Sequence, residues 1–338
     1  MLLPRNRIRR AVTASVAAMV VLAAAGLGFA PRAAAASLST GVVDVSTNLA
    51  YQNASAAGTG MVLTSSGEVL TNNHVIRGAT TIRVTDPSTK RSYAATVVGY
   101  SVTSDVAVLQ LTGASHLHTV TLGNSSNVKL NQRVTAVGNA GGVGGKPSSA
   151  TGKVTGLGRT IVASDGQGLS EQLTGLIRIN AVLQPGDSGG PLLNANGRVI
   201  GMDTAASAAL TSQAVGEGYA IPINRAASLA KQIVAGRSSA TVHIGSTAFL
   251  GVSISPSSNP NVAGALVSGV VPGAPADQAG IVAGDTITAV NGQPVATYSA
   301  LSSLLLGYNA GAVVTVSWVD QAGATHSASV TTADGPPQ

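Results

Sequence analysis

The segment Gly186-Asp187-Ser188-Gly189-Gly190-Pro191-Leu192 has the residue types of an activated-serine site. A seryl nucleophile needs an exposed hydroxyl, and the developing oxyanion needs backbone N–H groups beside it, which glycine can present because no Cβ blocks the approach. Such a serine also needs a base, and of the five histidines only His74 sits in a tight polar context, Thr71-Asn72-Asn73-His74-Val75-Ile76, at the end of an apolar run. His116, His118, His243 and His326 read as ordinary surface or core residues. The third partner is a carboxylate that fixes the imidazole tautomer, and Asp105, in Ser104-Asp105-Val106-Ala107-Val108-Leu109, is the best placed. Along the chain these residues follow in the order His74, Asp105, Ser188. The same glycines satisfy the looser Gly-x-Ser-x-Gly pattern of α/β hydrolases, with Asp203 or Glu217 and His243 as later partners. That pattern needs a helix after the serine, whereas Gly-Gly-Pro and a β-like run to Met202 follow here.

Such side chains must be positioned by elements with little helix. From Gly41 to about Tyr219 the chain alternates short β-rich runs, such as Val106–Leu111, with turn clusters such as Gly141-Gly142-Val143-Gly144-Gly145. Many short strands with this punctuation read as barrel or sandwich. The first convincing helix spans about Asn224 to Ala235, with Asn224 as N-cap and Gly236 as the stop. Arg237–Ala240 reads as linker. From Ala248 a second unit follows, free of Lys and Arg, with a short helix from Pro275 to Gly280 and another over about Ser299 to Leu306.

The 338 residues fit two domains plus a leader. The net charge of +6 suggests nucleic-acid or membrane partners until it is located. Arg5, Arg7, Arg9, Arg10 and Arg32 fall in the first 36 residues, so the rest is nearly neutral, and with 3% aromatics nothing reads as a nucleic-acid platform. Residues 1–36 have a basic stretch ending at Arg10, an uncharged run from Ala11 to Ala30 and small residues to Ser37, the build of a secretory signal cleaved after Ala35 or Ala36. An uncleaved membrane anchor is the competing reading of the same run. The absence of cysteine removes thiol, redox and Cys-metal chemistry. His116 and His118 lack a third ligand, so no metal or other cofactor is expected.

Asn72-Asn73-His74-Val75, Ser104-Asp105-Val106-Ala107-Val108, Gly186-Asp187-Ser188-Gly189-Gly190-Pro191 and Gly218-Tyr219-Ala220-Ile221-Pro222 together resemble the motifs of the HtrA (DegP-like) serine proteases, above all the short secreted actinobacterial members. The resemblance implies a mainly β chain: a trypsin-like double six-stranded β-barrel over 38–236, a linker over 237–247 and an α+β PDZ domain over 248–335. It also implies an exported serine endopeptidase that cleaves unfolded or exposed polypeptides, with an oxyanion hole from the N–H groups of Gly186 and Ser188. A protease-like holdase or peptide-binding adaptor is the alternative. By the same resemblance Val182, six positions before the serine, lies at the floor of the primary pocket and favours small or medium aliphatic P1 residues. Thr204, Ala205 and Ala206 form the strand on which substrate backbone lies. Phe249-Leu250-Gly251-Val252 resembles a PDZ carboxylate-binding loop, with Leu250, Val252, Ile254 and residues near Leu301 lining a pocket for peptide C-termini. Many members have Asn before the serine; Asp187 departs from that, and the expectation is that it is partly solvated or paired with a base such as Lys153 or Arg159. A homotrimer is a family possibility, although the N-terminal segment offers only Tyr51 as an aromatic.

Overall fold

A computed structural model describes residues 38–164, 170–204, 217–255 and 261–338. The leader, Ala205 and Ala206 lie outside them. Among the described residues no helix is long and apolar enough to cross a membrane.

The first barrel is built from β1 (Val42–Leu49), β2 (Ala54–Val62), β3 (Glu68–Thr71), β4 (Thr81–Asp86), β5 (Arg91–Ser101) and β6 (Val106–Leu111), with helix α1 (Asn73–Ile76) between β3 and β4. The pairing order β5-β4-β1-β2-β3-β6 closes through β5–β6 into a six-stranded ring. Alternation along β6 shows why it closes. Ala107, Leu109 and Leu111 fill the barrel interior with Val45, Val69 and Val84, while Val106 and Val108 face outward into a second apolar layer.

The second barrel is a closed ring of β7 (Arg133–Gly138), β8 (Ser148–Ser164), β9 (Ser170–Ile179), β10 (Pro191–Asn194), β11 (Val199–Thr204) and β12 (Gly218–Pro222). Its interior holds Val134, Val154, Ile179, Leu192 and Ile200. Its outward residues Val137, Leu176 and Met202 meet Met61, Leu70 and Val108 of the first barrel. Helix α2 (Ile223–Val234) seals this inter-barrel layer with Ile223, Ala226, Ala230 and Ile233. Pro222, not the expected Asn224, occupies its N-cap position. The Asn224 side chain instead bonds the Asn124–Ser126 turn, so a tertiary contact overrides its capping preference.

Past α2 the chain forms β13 (His243–Ile244), β14 (Thr247–Phe249), β15 (Val252–Ile254), β16 (Ala265–Val270), helix α3 (Pro275–Gln278), β17 (Thr286–Val290), β18 (Gln293–Pro294), helix α4 (Tyr298–Leu305), β19 (Val313–Val319), β20 (Thr325–Thr331) and β21 (Ala333–Gly335). The segment read as linker thus contains β13, a seventh strand on the first barrel's sheet, paired with Gly99 and Tyr100 of β5. Gly99 makes that approach possible, since a Cβ there would lie 2.5 Å from the His243 carbonyl. The second unit is a sheet in the order β15-β16-β17-β19-β20 with β18 beside β17, and β15 is its edge. Its core is Leu250, Val267, Ile287, Leu301, Val316 and Trp318.

Candidate active site

His74 follows directly from the end of β3. Val69, Leu70 and Thr71 are buried, Asn72 remains extended, and burial of Val75 and Ile76 folds the next residues into the single turn α1. Asn72 Nδ2 donates to the Asp105 carbonyl at 2.9 Å, which ties the entry of α1 to the turn before β6. Asp105 is 1% exposed and has a left-handed backbone, φ 53°. Its carboxylate accepts the His74 backbone N–H at 3.0 Å and lies 2.9 Å from His74 Nδ1. Thr204 Oγ1 donates to it at 3.4 Å. Against a carboxylate, Nδ1 is the donor, which leaves Nε2 with its lone pair on a ring that is 29% exposed.

Ser188 sits in the turn that leads into β10 and is 5% exposed. The turn is gripped from both barrels. On the β2 side, Thr59 N–H donates to the Ser188 carbonyl at 2.8 Å and Thr59 Oγ1 donates to the Gly186 carbonyl at 2.7 Å. On the β11 side, Gly189 N–H donates to the Asp203 carbonyl and Asp203 N–H to the Gly190 carbonyl, at 2.9 and 2.8 Å. Two glycines are dictated by space as well as by φ. Cβ atoms at Gly186 (φ 99°) and Gly189 (φ 87°) would lie 2.1 Å from the Asn139 carbonyl and 2.0 Å from the Thr59 carbonyl. Gly58 brings the two halves together, because a Cβ there would press on Val75, the neighbour of His74, at 2.7 Å and on the Ser188 carbonyl at 3.2 Å.

The peptide before Gly186 is oriented by its carbonyls. Pro185 O accepts from Gly141 N–H at 2.7 Å and Gly186 O from Thr59 Oγ1, so the Gly186 N–H, anti to the Pro185 carbonyl, points away from the 140–142 turn. It donates to no group among the described residues. The turn it faces away from is itself anchored: Asn139 Oδ1 accepts from Gly144 N–H and Asp44 Oδ2 from Gly145 N–H, at 2.7 and 3.0 Å. Burial raises the Asp44 pKa above the usual carboxylate value, and the Gly145 bond partly offsets this.

Asp187 corrects the sequence expectation. It is 5% exposed, no ion pair to Lys153, Arg159 or any other base is present among the described residues, and its Oδ2 accepts the Gln184 N–H at 2.8 Å. Backbone supplies the donor the sequence was expected to find in a cation. Burial raises its pKa, opposed by that bond and by the Ser148 hydroxyl. Val182 is 58% exposed. Thr204 is fully buried at the end of β11, and its hydroxyl turns to Asp105. Thr59, Asn72, Asp44 and Asp203 were not singled out as members of the HtrA-like site by their types, because each reads locally as a polar strand or loop residue.

In the second unit, β15 presents a free edge opposite α4, beside a cavity of about 460 Å³ lined by Phe249, Val252, Ser299 and Leu306 and, across from them, Tyr51 and Arg77. Gly251 has φ 79°, and the Leu250 and Gly251 carbonyls accept from Ala276 and Val271 N–H at 2.8 Å. The N–H groups of Leu250 and Gly251 have no acceptor among the described residues. Of the residues expected there, Val252 and, at the end of the helix that carries Leu301, Leu306 line the cavity, while Leu250 and Ile254 do not. Leu250 and Leu301 are 1% and 0% exposed and belong to the core beneath it. Tyr51 also lines the cavity and is stacked on Phe249, with ring centroids 5.1 Å apart.

A double barrel with a His–Asp pair and a glycine-framed serine between its halves, joined to a sheet with an open edge strand, defines a trypsin-like peptidase fold with a PDZ fold. Family models for a trypsin-like peptidase domain and a PDZ domain match residues 58–202 and 266–319. The chain is 31% identical over 314 residues to the serine protease PepD of Mycobacterium tuberculosis, covering 88% of this chain and 64% of PepD. It is 35% identical over 260 residues to HhoA of Synechocystis, covering 73% and 63% of the two chains. It is 35% identical over 257 residues to the periplasmic serine endoprotease DegP of Salmonella typhimurium, covering 73% and 50%. It therefore spans less than two thirds of the length of these relatives. A solved structure of the HtrA-type protease AlgW with a tripeptide is 26% identical, with a TM-score of 0.50 over 89% of this chain and 95% of that one. The chain thus carries a trypsin-like peptidase domain and a PDZ domain and is similar to the HtrA-type proteases.

Proposed function

We propose that this chain is an exported serine endopeptidase for unfolded or exposed polypeptide. The observation that carries the reading is the convergence of the His74–Asp105 pair and the Gly186–Gly190 turn at Gly58, with the Gly186 N–H left undonated. Ser188 Oγ attacks the scissile carbonyl while His74 Nε2 accepts its proton. Asp105 holds the ring in the tautomer that can do so and stabilises the imidazolium that forms. Negative charge on the former carbonyl oxygen is met by the N–H groups of Gly186 and Ser188. His74 then protonates the leaving amine, and water hydrolyses the acyl-enzyme by the same steps in reverse order. Val182, rather than an acid, at the primary pocket favours small or medium aliphatic P1 side chains.

The open edge of β15 and the undonated N–H groups at Leu250 and Gly251 support capture of a peptide C-terminus as an added strand. The leader supports export, and DegP, a relative, is named as periplasmic. The test is incubation of the chain from Ser37 onward with unfolded casein beside Ser188→Ala, with product termini read by mass spectrometry. Cleavage by the unsubstituted chain alone, after small aliphatic residues, is expected. A folded chain that leaves casein intact overturns the endopeptidase reading in favour of a holdase.

A further inference from the structure

Asp203 is the most deeply buried acid beside the nucleophile turn, and the mechanism above gives its side chain nothing to do. It is 0% exposed, and neither of its carboxyl oxygens has a hydrogen-bond partner among the described residues. Its backbone makes the two bonds that hold Gly189 and Gly190, and its neighbour Thr204 bonds Asp105. Two consecutive residues thus join the serine turn to the His–Asp pair. Asp187, on that turn, is the second buried acid, and its Oδ1 is also without a partner among the described residues.

Among the described residues the surroundings offer no countercharge. Strands β2 and β10 bring no titratable side chain, and β12 brings Tyr219, whose hydroxyl donates to Glu217 at 3.1 Å. Helix α2 contributes Arg225, bound to the Thr174 carbonyl and the Ser104 hydroxyl, and the exposed Lys231. The charged group whose field reaches Asp203 is Asp187.

We propose that Asp203 is a positioning residue that must be protonated for the nucleophile turn to hold its catalytic shape, and that Asp187 sets how firmly that proton is held. This rests on the serine-protease reading. A neutral carboxyl tolerates an apolar site at modest cost, whereas a carboxylate without donors does not, and a second carboxylate nearby makes ionisation harder still. Burial first, and the Asp187 charge second, push the Asp203 pKa well above the usual carboxylate value. When that proton leaves, the charge is relieved by admitting water, which breaks the bonds to Gly189 and Gly190. Activity therefore has an alkaline limb set by Asp203.

The stability effect has a definite sign. The folded chain retains a proton that the unfolded chain has released, so the contribution is complete below the unfolded value, about 3.9. It is lost as pH rises from there through the raised folded value.

The experiment compares the full chain with Asp203→Asn and Asp187→Asn, from acid to alkaline pH. It follows peptide cleavage, Ser188 labelling by a fluorophosphonate, and Tm. Asn imitates the neutral acid, so Asp203→Asn keeps activity on the acid side and its alkaline limb moves up by about one pH unit or more. Asp187→Asn removes the charge that holds the Asp203 proton, so its limb moves down. Relative to Asp203→Asn, the unsubstituted chain loses Tm as pH rises. An unmoved limb in Asp203→Asn, or its inactivation at every pH while folded, overturns the proposal. Should Asp203→Asn fail to fold, an upward or absent shift in Asp187→Asn does so. If the unsubstituted chain neither cleaves nor labels, the protease reading fails. The Tm curves still decide the proton on Asp203, and parallel curves refute it.

Discussion

Asp105 holds a left-handed backbone that costs most side chains about 1 kcal/mol and that Asp and Asn tolerate best. Asp105→Asn therefore keeps the fold. It presents an amide to His74 Nδ1, favours the wrong tautomer, and is expected to lower kcat by about 10⁴-fold with Tm nearly unchanged. Ser188→Ala is expected to lower kcat by about 10⁶-fold, since the three residues act as a unit, and retention of a hundredth of the activity refutes the assignment. At this scale the sequence was informative because chemistry restricts both residue type and order. Nucleophile, base and acid each had one good candidate. Asp187 was legible as an oddity but not in its environment, because a sequence cannot show that the Gln184 amide, three residues back, folds over the carboxylate.

At the scale of elements, one hydroxyl on β2 organises the turn it faces. Thr59 Oγ1 donates to Gly186 O and accepts from Asn139 N–H at 2.9 Å. Thr59→Val keeps the shape and strands two buried backbone groups, at about 1–3 kcal/mol each. The expected result is a lower midpoint in urea and a fall in kcat with KM little changed, because the Gly186 N–H loses its fixed direction. Nothing in Ala-Gly-Thr-Gly-Met announces this, since the partners of Thr59 lie 80 and 127 residues away. A barrel or sandwich was legible from the short β-rich runs and glycine-rich turns, and the choice of two barrels came from the family resemblance. The phase at Leu250 was not, because an apolar residue beside a groove and one beneath it have the same pattern.

For the whole molecule, the described chain ends against the element that carries His74. Gly78 N–H donates to the Pro337 carbonyl at 2.7 Å, Asn73 Nδ2 to the Gln338 carbonyl at 2.9 Å, and Gln338 N–H to the Tyr100 hydroxyl at 3.3 Å. A chain cut after Gly335 loses all three. Hydrogen exchange at the Gly78 amide is expected to accelerate about fivefold, the worth of a single bond. A fall in kcat accompanies it, because α1 loses its outer support. Unchanged exchange would mean that these residues do not brace α1.

That docking joins Asn73 to a residue 265 positions later. Contacts so distant in sequence form last, after the entropy of closing the intervening loop has been met. The first barrel can therefore pair its own strands early in refolding, yet α1 acquires its final neighbours only when the remainder of the chain has collapsed. His74 therefore reaches its final surroundings at the end of folding, which delays completion of the proposed active site until the whole chain has collapsed.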